Sequence, residues 1–576
     1  MKDRRDAVDR LRRQPEVSVL VVGGGINGAG LFRDLALQGV DALLVDKSDF
    51  CTGASAASSR MIHGGLRYLE FGEFRLVRES LKDRNLLLQN APHYVFPLPT
   101  TIPILSRFSG IGGSVRRFLH LGGSRASNRG TLIVKAGLTF YDVFTRKDRL
   151  MPRHKFTSRA ESLARRPALR QDVVQTATYH DAWISYPERL CLELLLDGQS
   201  ACSDATALNY VALEGASGDT VSLRDKLSGD AIEVRPKAVV NATGAWIDFT
   251  NRSLGYETQM IGGTKGAHLV LDNRALYDAL QGEMIYYETP DGRVAIAMQW
   301  LGRVLIGSTD IRVDNPDDVR VTDEEIYYIL ESIRGVLPGI DVNRSQILSY
   351  FTGVRPMKSS GGSAPGGKDT VQVSRDHQCS VIEPTEAVAV PVCSMIGGKW
   401  TTFRAFAEQV TDQLLERLGQ TRRVETRRAA IGGGKDYPED EPAKQRWLAS
   451  LQERTQLPQD RLATLLTRYG TRAEAVAEFL AEGPDAPLCH HDGYSRREIE
   501  FIVRHEGVMR PGDLVLRRTA IALLGELTGE LLDELVAIVA EVRGWSQEQA
   551  QSERSRTVEI LADRFGVRIA ARSEEG

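Results

Sequence analysis

The chain has 576 residues, of which 42% are hydrophobic and 26% charged, and its formal net charge at pH 7 is -3. These values are typical of a soluble globular protein with about two to four domains. The nearly balanced charge argues against nucleic acid as an electrostatic partner.

The first stretch, residues 1–16, reads MKDRRDAVDRLRRQPE and has no apolar core, so it does not resemble a secretory signal. We expect a frayed, charged helix or tail there. No apolar run reaches the length of a membrane-spanning helix, so any membrane contact is expected to be peripheral. The cysteines include no CxxC pair, which predicts reduced thiols and a cytoplasmic protein.

The most informative stretch begins with the apolar, β-branched run Val17–Val22, which predicts a strand buried on both faces. Gly23, Gly25 and Gly28 follow with the spacing GxGxxG. In this pattern the first glycine allows a sharp turn, the second allows a pyrophosphate to approach the backbone, and the third lets the next helix pack on the sheet. The amides and the positive dipole end of that helix suit phosphate groups.

A helix is predicted over residues 29–38, and a second strand over residues 42–45 that ends on Asp46. A carboxylate in this position can accept hydrogen bonds from a ribose. Strand, glycines, helix, strand and acid in this order predict dinucleotide binding, whereas glycines alone also mark turns in unrelated α/β domains. The motif does not separate FAD from NAD, but its place near the start of the chain favours FAD.

Residues 48–60 are rich in small hydroxyl side chains, which offer hydrogen bonds to a phosphate or a flavin ring while occupying little space. The His-Gly-Gly turn at residues 63–65 then lets the backbone approach a flat, bulky group. An amphipathic helix is predicted over residues 74–88.

Residues 84–141 contain no Asp or Glu, and basic and apolar side chains alternate along them. One interpretation is a cationic rim around an anionic substrate, and the other is a patch that seats on anionic lipid. Glycines between residues 110 and 123 argue against one long amphipathic helix. The basic residues are Arg84, Arg107, Arg116, Arg117, Arg125, Arg129 and Lys135.

The middle of the chain predicts a return to the first sheet and then a second sheet. A hairpin is expected over residues 207–223, and AVVNATGAW at 238–246 predicts another buried strand, so the dinucleotide fold is expected to be discontinuous. Short alternating strands over residues 266–310 predict an antiparallel sheet laid over the cofactor. A helix over residues 323–336 and a strand over 346–355 follow.

A Gly/Ser-rich segment at residues 359–368 predicts a mobile loop, either a lid or simply solvent-exposed. An apolar strand over residues 387–396 leads into GGKWTT at 397–402 and a helix over 403–418. In a flavoprotein such a helix start can stabilise negative charge on the reduced flavin, and an ordinary strand-to-helix connection is the alternative.

Residues 431–443 look like a linker, and residues 444–576 are predicted to be helical throughout, for example at 445–454, 496–504, 530–542 and 546–565. No catalytic constellation is visible there, so a packing or oligomer-forming domain is expected, with a homodimer as one arrangement. The stretch 489–492 (Cys-His-His-Asp) is interpreted as a surface turn rather than a metal site, because adjacent residues rarely converge on one metal.

Together these motifs resemble the FAD-dependent glycerol-3-phosphate dehydrogenases, within the D-amino-acid-oxidase-like flavoproteins. The stretch at residues 496–519 resembles that family's C-terminal domain. Departures are small: Trp400 stands where Leu is usual, Phe403 where Tyr is frequent, and Asp46 where Glu is usual. The resemblance is carried by VVGGGINGAG (21–30), SSRMIHGGLRYLE (58–70), EFRLVRESL (73–81), VNATGAW (240–246), KGAHLV (265–270), IGSTD (306–310), GVRP (353–356) and GGKWTTFR (397–404).

Pattern and resemblance together imply an α/β FAD-binding Rossmann-like domain that is discontinuous, an antiparallel-sheet substrate domain and a C-terminal all-α domain. The expected limits are 17–100, 190–262 and 375–420 for the first domain, 101–189 and 263–374 for the second, and 444–576 for the third, with a tail at 1–16 and a linker at 421–443.

The resemblance implies oxidation of sn-glycerol 3-phosphate to dihydroxyacetone phosphate, with hydride passing from C2 to N5 of FAD. Electrons would then pass to membrane quinone, with the protein peripheral on the inner face of the cell membrane. The alternatives are an oxidase that uses dioxygen, a relative acting on another small hydroxy or amino substrate, and a protein whose flavin is structural.

By the same resemblance His63 is the expected base, with a flavin-packing histidine as the alternative. Arg355 would bind substrate and polarise the developing alkoxide or carbonyl. Arg67 and Lys399 would hold the phosphate, with surface ion pairing as the alternative. The expected hydrogen-bonding partners of the substrate are Tyr68, His268 and Thr401.

No metal ligands are expected. The expected FAD contacts are Gly23, Gly25, Ile26, Asn27, Gly28, Asp46, Lys47, Thr52, Ser55, Ser58, Ser59, His63, Gly64, Gly65, Leu66, Val211, Ala242, Thr243, Gly244, Gly398, Lys399 and Thr401.

Overall fold

The computed structural model describes residues 1–66, 73–106, 131–144, 150–359 and 377–569. Its helices of seven residues or more are α1 (Arg4–Arg13), α2 (Ile26–Leu37), α3 (Phe74–Asn90), α4 (Thr131–Phe144), α5 (Arg159–Arg165), α6 (Pro187–Ala201), α7 (Ile247–Ser253), α8 (Arg274–Leu280), α9 (Asp323–Arg334), α10 (Phe403–Arg417), α11 (Glu441–Thr455), α12 (Gln459–Tyr469), α13 (Ala473–Ala481), α14 (Arg496–His505), α15 (Gly529–Arg543) and α16 (Gln547–Phe565). Its strands are β1 (Glu16–Val22), β2 (Ala42–Val45), β3 (Met61–Ile62), β4 (Val95–Ile104), β5 (Lys155–Ser158), β6 (Gln175–Ile184), β7 (Thr206–Leu208), β8 (Val211–Ser217), β9 (Thr220–Asp225), β10 (Ala231–Asn241), β11 (Ile261–Leu271), β12 (Met284–Glu288), β13 (Val294–Trp300), β14 (Arg303–Gly307), β15 (Ile311–Val313), β16 (Ile347–Lys358), β17 (Gln378–Ile382), β18 (Val392–Ile396), β19 (Pro487–Leu488) and β20 (His491–Ser495).

The first sheet has the strand order β17-β18-β10-β1-β2-β7, with β8 and β9 attached beyond β10. Strands β18, β10, β1, β2 and β7 are parallel, and Val22 at the end of β1 pairs with Asn241 of β10 and Val45 of β2. The carboxyl ends of these strands therefore meet at one edge. Since β10 and β18 lie far along the chain from β1, the predicted discontinuous Rossmann-like domain is confirmed.

Helices α2, α6 and α10 cover this sheet closely. A Cβ added to Gly30 of α2 would lie 2.6 Å from the Phe403 ring of α10, and one added to Gly198 of α6 would lie 2.7 Å from the Phe32 ring of α2. Apolar side chains of these helices and of the strands form one buried cluster. The glycines thus let the helices approach one another closely.

The second sheet has ten strands, mostly antiparallel, with β4 and β12 as a parallel pair. Strand β16 pairs with β11 along nearly its whole length, so Arg355 lies opposite Thr264, and Phe351 lies opposite His268. Helices α8 and α9 cover one face of this sheet. The predicted antiparallel domain is confirmed, and it brings β11 and β16 alongside the first sheet.

The expected boundary between residues 100 and 101 is wrong in detail, because it cuts through β4. That strand pairs with β6 from Val95 to Ile104, and β3 pairs with β6 on its other side. The pairing of β4 with β6 is continuous across this position, so the strand belongs to the second sheet as one unit.

The N-terminal residues form a helix, one of the two forms expected, but the helix is packed against the first sheet and is not frayed. Asp3 caps α1 by accepting hydrogen bonds from the amides of Arg5 and Asp6. Ala7, Val8 and Leu11 are buried against residues of β1 and β10. The many charged residues of α1 occupy its other faces, so a short apolar stripe suffices to hold it in place.

The C-terminal helices pack on the other face of the second sheet, where side chains of both form one apolar cluster. The prediction of helices throughout needs one correction, because β19 and β20 form a small antiparallel pair. Cys489 and His490 are exposed in the turn between them, as expected for a surface turn. Buried ion pairs tie this domain to the first one, with Arg189 to Glu506 at 2.7 Å and Arg518 to Asp49 at 2.6 Å.

The predicted linker lies against the first domain, where Arg422 pairs with Asp34 at 2.8 Å and Ile431 is buried. Among the residues that the structure describes, no helix has both the length and the apolar character needed to cross a membrane.

Candidate active site

One large cavity, with a volume of about 670 Å³, lies at the carboxyl edge of the first sheet and extends beneath β11 and β16. The residues that follow β1, β2, β10 and β18 all contribute to its wall, as do residues 52–63. Such an edge is where parallel α/β sheets bind ligands. This volume is in the usual range of cofactor sites.

The glycine turn forms one part of the cavity wall. Gly23 has a φ of +110°, and a Cβ there would lie 2.7 Å from the carbonyl oxygen of Ala242. A Cβ on Gly28 would lie 1.9 Å from the carbonyl oxygen of Gly23. Gly25 lines the cavity directly and is the N-cap residue of α2, so the helix start has no capping side chain of its own. The backbone at the start of α2 therefore faces the cavity as an anion-binding turn.

Asp46 ends β2 at the cavity wall, and its two carboxylate oxygens accept hydrogen bonds from the amides of Gly24 at 2.7 Å and Ser48 at 2.8 Å. Burial raises the pKa of Asp46 to about 6, although the Ser48 and Gly24 amides favour its charged form. Lys47, the next residue, donates to Asp317 at 2.9 Å.

Two further side chains in the cavity wall, Ser55 and Asn27, bear on whether a dinucleotide fits the cavity. The Ser55 hydroxyl accepts from the amide of Ile26 at 3.0 Å, so this segment closes over the first turn of α2. The Oδ1 atom of Asn27 is buried and has no hydrogen-bond partner among the described residues. A Gly-only turn, a helix start whose N-cap residue is a glycine, a carboxylate at the strand end and an unpartnered acceptor together fit a dinucleotide such as FAD.

The His-Gly-Gly turn forms another part of the wall. The amide of His63 donates to the Thr401 hydroxyl at 3.1 Å, and that hydroxyl lies 3.2 Å from the carbonyl oxygen of His63. Thr401 is buried, so the backbone of His63 is fixed from the start of α10. Lys399, in the same connection, donates to the Ser80 hydroxyl at 3.0 Å and also lines the cavity.

His268 and Arg355 approach the cavity from the second sheet. His268 is buried, lies 2.9 Å from the Ser59 hydroxyl through Nε2, and stacks on Phe351. Burial, helped by the positive charges of Arg355 and Arg60, lowers the pKa of His268 to about 3. His268 is therefore neutral at physiological pH.

The Arg355 guanidinium is half-buried and held by hydrogen bonds to residues 308–310. It donates to the Asp310 carboxylate at 3.1 Å, the Thr309 carbonyl oxygen at 3.2 Å and the Ser308 hydroxyl at 3.0 Å. A guanidinium fixed in this way can present its positive charge to an anionic or developing alkoxide group in the cavity.

A buried network behind the His-Gly-Gly turn was not anticipated from the sequence. The amide of Gly64 donates to the Tyr141 hydroxyl at 3.0 Å and to Oδ1 of Asp181 at 3.1 Å. The Tyr141 hydroxyl donates to the same carboxylate, and Arg84 donates to it at 3.1 Å. Burial raises the pKa of Asp181 and of Tyr141. The network thus anchors the residue next to His63.

Most of the predicted site residues meet at this cavity, and a few do not. Gly28, Gly64, Gly65 and Leu66 are not among the residues that line it. Arg67 and Tyr68 lie outside the described residues. Those that line the cavity are Gly23, Gly25, Ile26, Asn27, Asp46, Lys47, Thr52, Ser55, Ser58, Ser59, His63, Val211, Ala242, Thr243, Gly244, His268, Arg355, Gly398, Lys399 and Thr401.

The lining residues that the sequence analysis missed include Trp246, Asp317, Arg564 and Phe565. Trp246 belongs to the VNATGAW motif and could have been found from its place after the turn at residues 242–244. No sequence signal pointed to the others, since Asp317 is in a surface turn of the second domain and Arg564 and Phe565 end α16.

The acid-free stretch is described only in part. Arg84 is buried in the network behind the turn, so it does not belong to a basic surface, and Lys135 is exposed on α4. Phe140 and Val143 of α4 are also exposed, at 50% and 58%. The basic residues between 107 and 129 and the Gly/Ser-rich segment beyond Ser359 lie outside the described residues.

Comparison with known proteins agrees with this architecture. A family model described as FAD dependent oxidoreductase matches residues 18–373, and one described as the C-terminal domain of alpha-glycerophosphate oxidase matches residues 424–550. The solved glycerol-3-phosphate dehydrogenase of Bacillus halodurans, complexed with FAD, superposes with a TM-score of 0.73 at 21% identity and 97% coverage of each chain. The chain therefore belongs to the FAD-dependent oxidoreductases.

Within them, its full-length relatives identify it as a member of the glycerol-3-phosphate dehydrogenase family. It is 31% identical to a glycerol-3-phosphate dehydrogenase from Synechocystis sp., over 96% of this chain and 98% of the relative. It is 30% identical to glycerol-3-phosphate dehydrogenase 1 of Mycobacterium tuberculosis, over 88% of this chain and 92% of the relative. The expected family and FAD dependence are thereby confirmed.

Proposed function

We propose that this enzyme oxidises sn-glycerol 3-phosphate to dihydroxyacetone phosphate and passes the electrons to a membrane quinone. The observation that carries the proposal is a single cavity whose wall combines a dinucleotide-binding turn with two cations, Lys399 and Arg355, and two imidazoles, His63 and His268. The names of the full-length relatives support the same substrate. FAD, when bound, supplies at N5 a two-electron acceptor for the hydride that leaves C2 of the substrate.

His63 is the base that takes the proton of the C2 hydroxyl. His63 is half-buried and lines the cavity, and its backbone is held by Thr401. His268 is unsuitable for this step, because a pKa of about 3 makes it a very weak base. His268 instead acts as a neutral hydrogen-bonding partner that is oriented by Ser59.

Arg355 stabilises negative charge on the C2 oxygen as the hydroxyl proton leaves. Its partners Asp310, Thr309 and Ser308 hold the guanidinium plane, so little reorganisation is needed when charge develops. Arg355 is thus an electrostatic catalyst and also a substrate ligand.

Lys399 binds the substrate phosphate as a point charge, with Arg67 and Tyr68 as further ligands by family resemblance. Thr401 was expected to bind substrate, but its hydroxyl already bonds both backbone groups of His63. Thr401 therefore serves mainly to position the base.

A quinone acceptor requires contact with a membrane, and α4 offers a surface suited to it. Phe140 and Val143 are exposed apolar side chains, and the exposed Lys135 lies on the same helix. An apolar and basic surface of this kind favours binding to anionic lipid. We therefore propose peripheral attachment on the inner face of the cell membrane.

Anaerobic mixing of the purified yellow protein with sn-glycerol 3-phosphate, followed by a quinone analogue or by air, tests the proposal. We expect bleaching of the flavin, with fast recovery in quinone and slow recovery in air. Fast recovery in air would instead identify an oxidase. Absence of bleaching would refute the substrate and favour a structural flavin.

A further inference from the structure

The last helix of the C-terminal domain reaches the cavity, although that domain lacks any dinucleotide-binding motif. Arg564 and Phe565, at the end of α16, line the cavity together with Lys47 and Trp246 of the first domain. The cavity is therefore closed on one side by the C-terminal domain.

A chain of hydrogen bonds ties α16 to the end of β2 through the rim segment, residues 315–320. The Asp317 carboxylate accepts from Lys47 at 2.9 Å and from the Trp246 indole at 2.9 Å. The Asp317 carbonyl oxygen accepts from Arg564 at 3.1 Å. Lys47 also lies 4.7 Å from the centre of the Trp246 ring, so these side chains form one group.

Further contacts fix the end of α16. Arg320 of the rim segment pairs with Asp563 at 2.7 Å. Gly566, just after α16, has a φ of +67°, and a Cβ there would lie 2.2 Å from the Tyr350 ring of β16. The end of α16 is thus packed against the second sheet, and the position of Phe565 does not depend on Asp317 alone.

The chemistry of this group matches a nucleotide. Lys47 directly follows Asp46, the carboxylate placed to bind a ribose. Two cations, Lys47 and Arg564, and two aromatic rings, Trp246 and Phe565, line the same cavity. Cations suit phosphates, and aromatic rings suit the flat face of a purine.

We propose that Arg564 and Phe565 of the C-terminal domain form part of the site that binds the adenine-nucleotide half of FAD. The C-terminal domain then contributes to cofactor retention and does not serve only for packing or assembly. This inference rests on FAD binding and is independent of the substrate and of the electron acceptor.

The test compares Phe565→Ala with Val558→Ala, a half-buried residue of the same helix that packs in the C-terminal cluster and does not line the cavity. Arg564→Ala is paired in the same way with the exposed Arg556→Ala. For each variant we would measure the dissociation constants of FAD and of ADP from the apoenzyme, and the melting temperatures of the apo and FAD-bound forms.

Phe565→Ala should weaken FAD and ADP binding by the same factor, about two- to tenfold, as expected for loss of one aromatic contact. It should lower the melting temperature of the FAD-bound form more than that of the apo form, because ligand binding stabilises only the folded state. Arg564→Ala should act in the same direction, and both control variants should leave both dissociation constants unchanged.

Two results would overturn the proposal. One is that Phe565→Ala lowers both melting temperatures equally and leaves FAD affinity unchanged, as loss of packing alone would. The other is that FAD binding weakens while ADP binding does not, which would assign Phe565 to the flavin half. Neither measurement uses glycerol 3-phosphate, so failure here is distinct from failure of the proposed substrate.

Discussion

Asp46 allows a specific prediction about cofactor binding, because its raised pKa lies close to physiological pH. Its carboxylate oxygens accept the Gly24 and Ser48 amides, and burial raises its pKa to about 6. An ionised carboxylate can still accept further hydrogen bonds from ribose hydroxyls. A protonated carboxyl group accepts fewer hydrogen bonds, and its O–H group needs an acceptor of its own. FAD should therefore bind best when Asp46 is charged.

The raised pKa of Asp46 determines how FAD affinity changes with pH. Above pH 6 Asp46 of the apoenzyme is ionised, and as pH falls through 6 it takes up a proton that FAD binding must remove. At pH 5 about ten of every eleven molecules would be protonated, while at pH 7 only about one in eleven would be. The apparent dissociation constant of FAD should therefore rise about tenfold from pH 8 to pH 5.

Titration of the apoenzyme with FAD, followed by flavin fluorescence between pH 5 and 8, measures this directly. Asp46→Glu keeps a carboxylate and should keep the pH dependence, whereas Asp46→Asn should bind FAD weakly at every pH. His268 does not interfere, because with a pKa of about 3 it stays neutral throughout. A dissociation constant that is flat with pH in the wild type, or equally pH-dependent in Asp46→Asn, would refute the reasoning.

Three further predictions concern catalysis and the membrane. His63→Ala should slow anaerobic flavin reduction about a hundredfold or more with little change in substrate affinity, and an unchanged rate would exclude His63 as the base. Tyr141→Phe should lower kcat about threefold at constant KM, because the Gly64 amide loses one acceptor. An unchanged kcat would show that Tyr141 does not position the site. Phe140→Ser combined with Val143→Ser should reduce the fraction of protein that sediments with anionic vesicles. Undiminished binding would exclude this surface of α4 as the membrane contact.

Matched variants separate these effects from general damage. Tyr327, an exposed aromatic residue on α9 with 65% exposure, gives the control Tyr327→Ser for the vesicle assay.

Lys399→Arg keeps a positive charge and should lose less substrate affinity than Lys399→Ala, because a phosphate dianion responds chiefly to charge. Equal substrate affinity in Lys399→Ala and the wild type would exclude Lys399 as a phosphate ligand.

The sequence predicted the parts of the fold and site that depend on local spacing. The glycine turn, α2 and Asp46 follow one another within a single β-α-β unit, so their meeting is dictated by short-range geometry. The return of β10 to the first sheet was predictable because residues 238–246 repeat the pattern of a buried strand followed by a small-residue turn.

What could not be predicted depends on long-range contacts. The Gly64 amide donates to Asp181, which lies 117 positions further along the chain. Nothing in the local sequence around Asp181 in β6 or Tyr141 in α4 indicates that both accept a hydrogen bond from this amide. Arg564 meets Asp317 across 247 positions. The buried face of α1 was hidden for a different reason, since Ala7, Val8 and Leu11 form only a short apolar stripe among charged residues.

The most direct test of the central claim is stopped-flow flavin reduction, without oxygen, by sn-glycerol 3-phosphate that carries deuterium at C2. We expect the flavin to bleach, and to bleach more slowly with deuterium at C2 than with the unlabelled substrate or with deuterium at C1. That result would show that the C2–H bond breaks as the flavin is reduced. No bleaching, or bleaching slowed only by deuterium at C1, would contradict the proposed oxidation at C2.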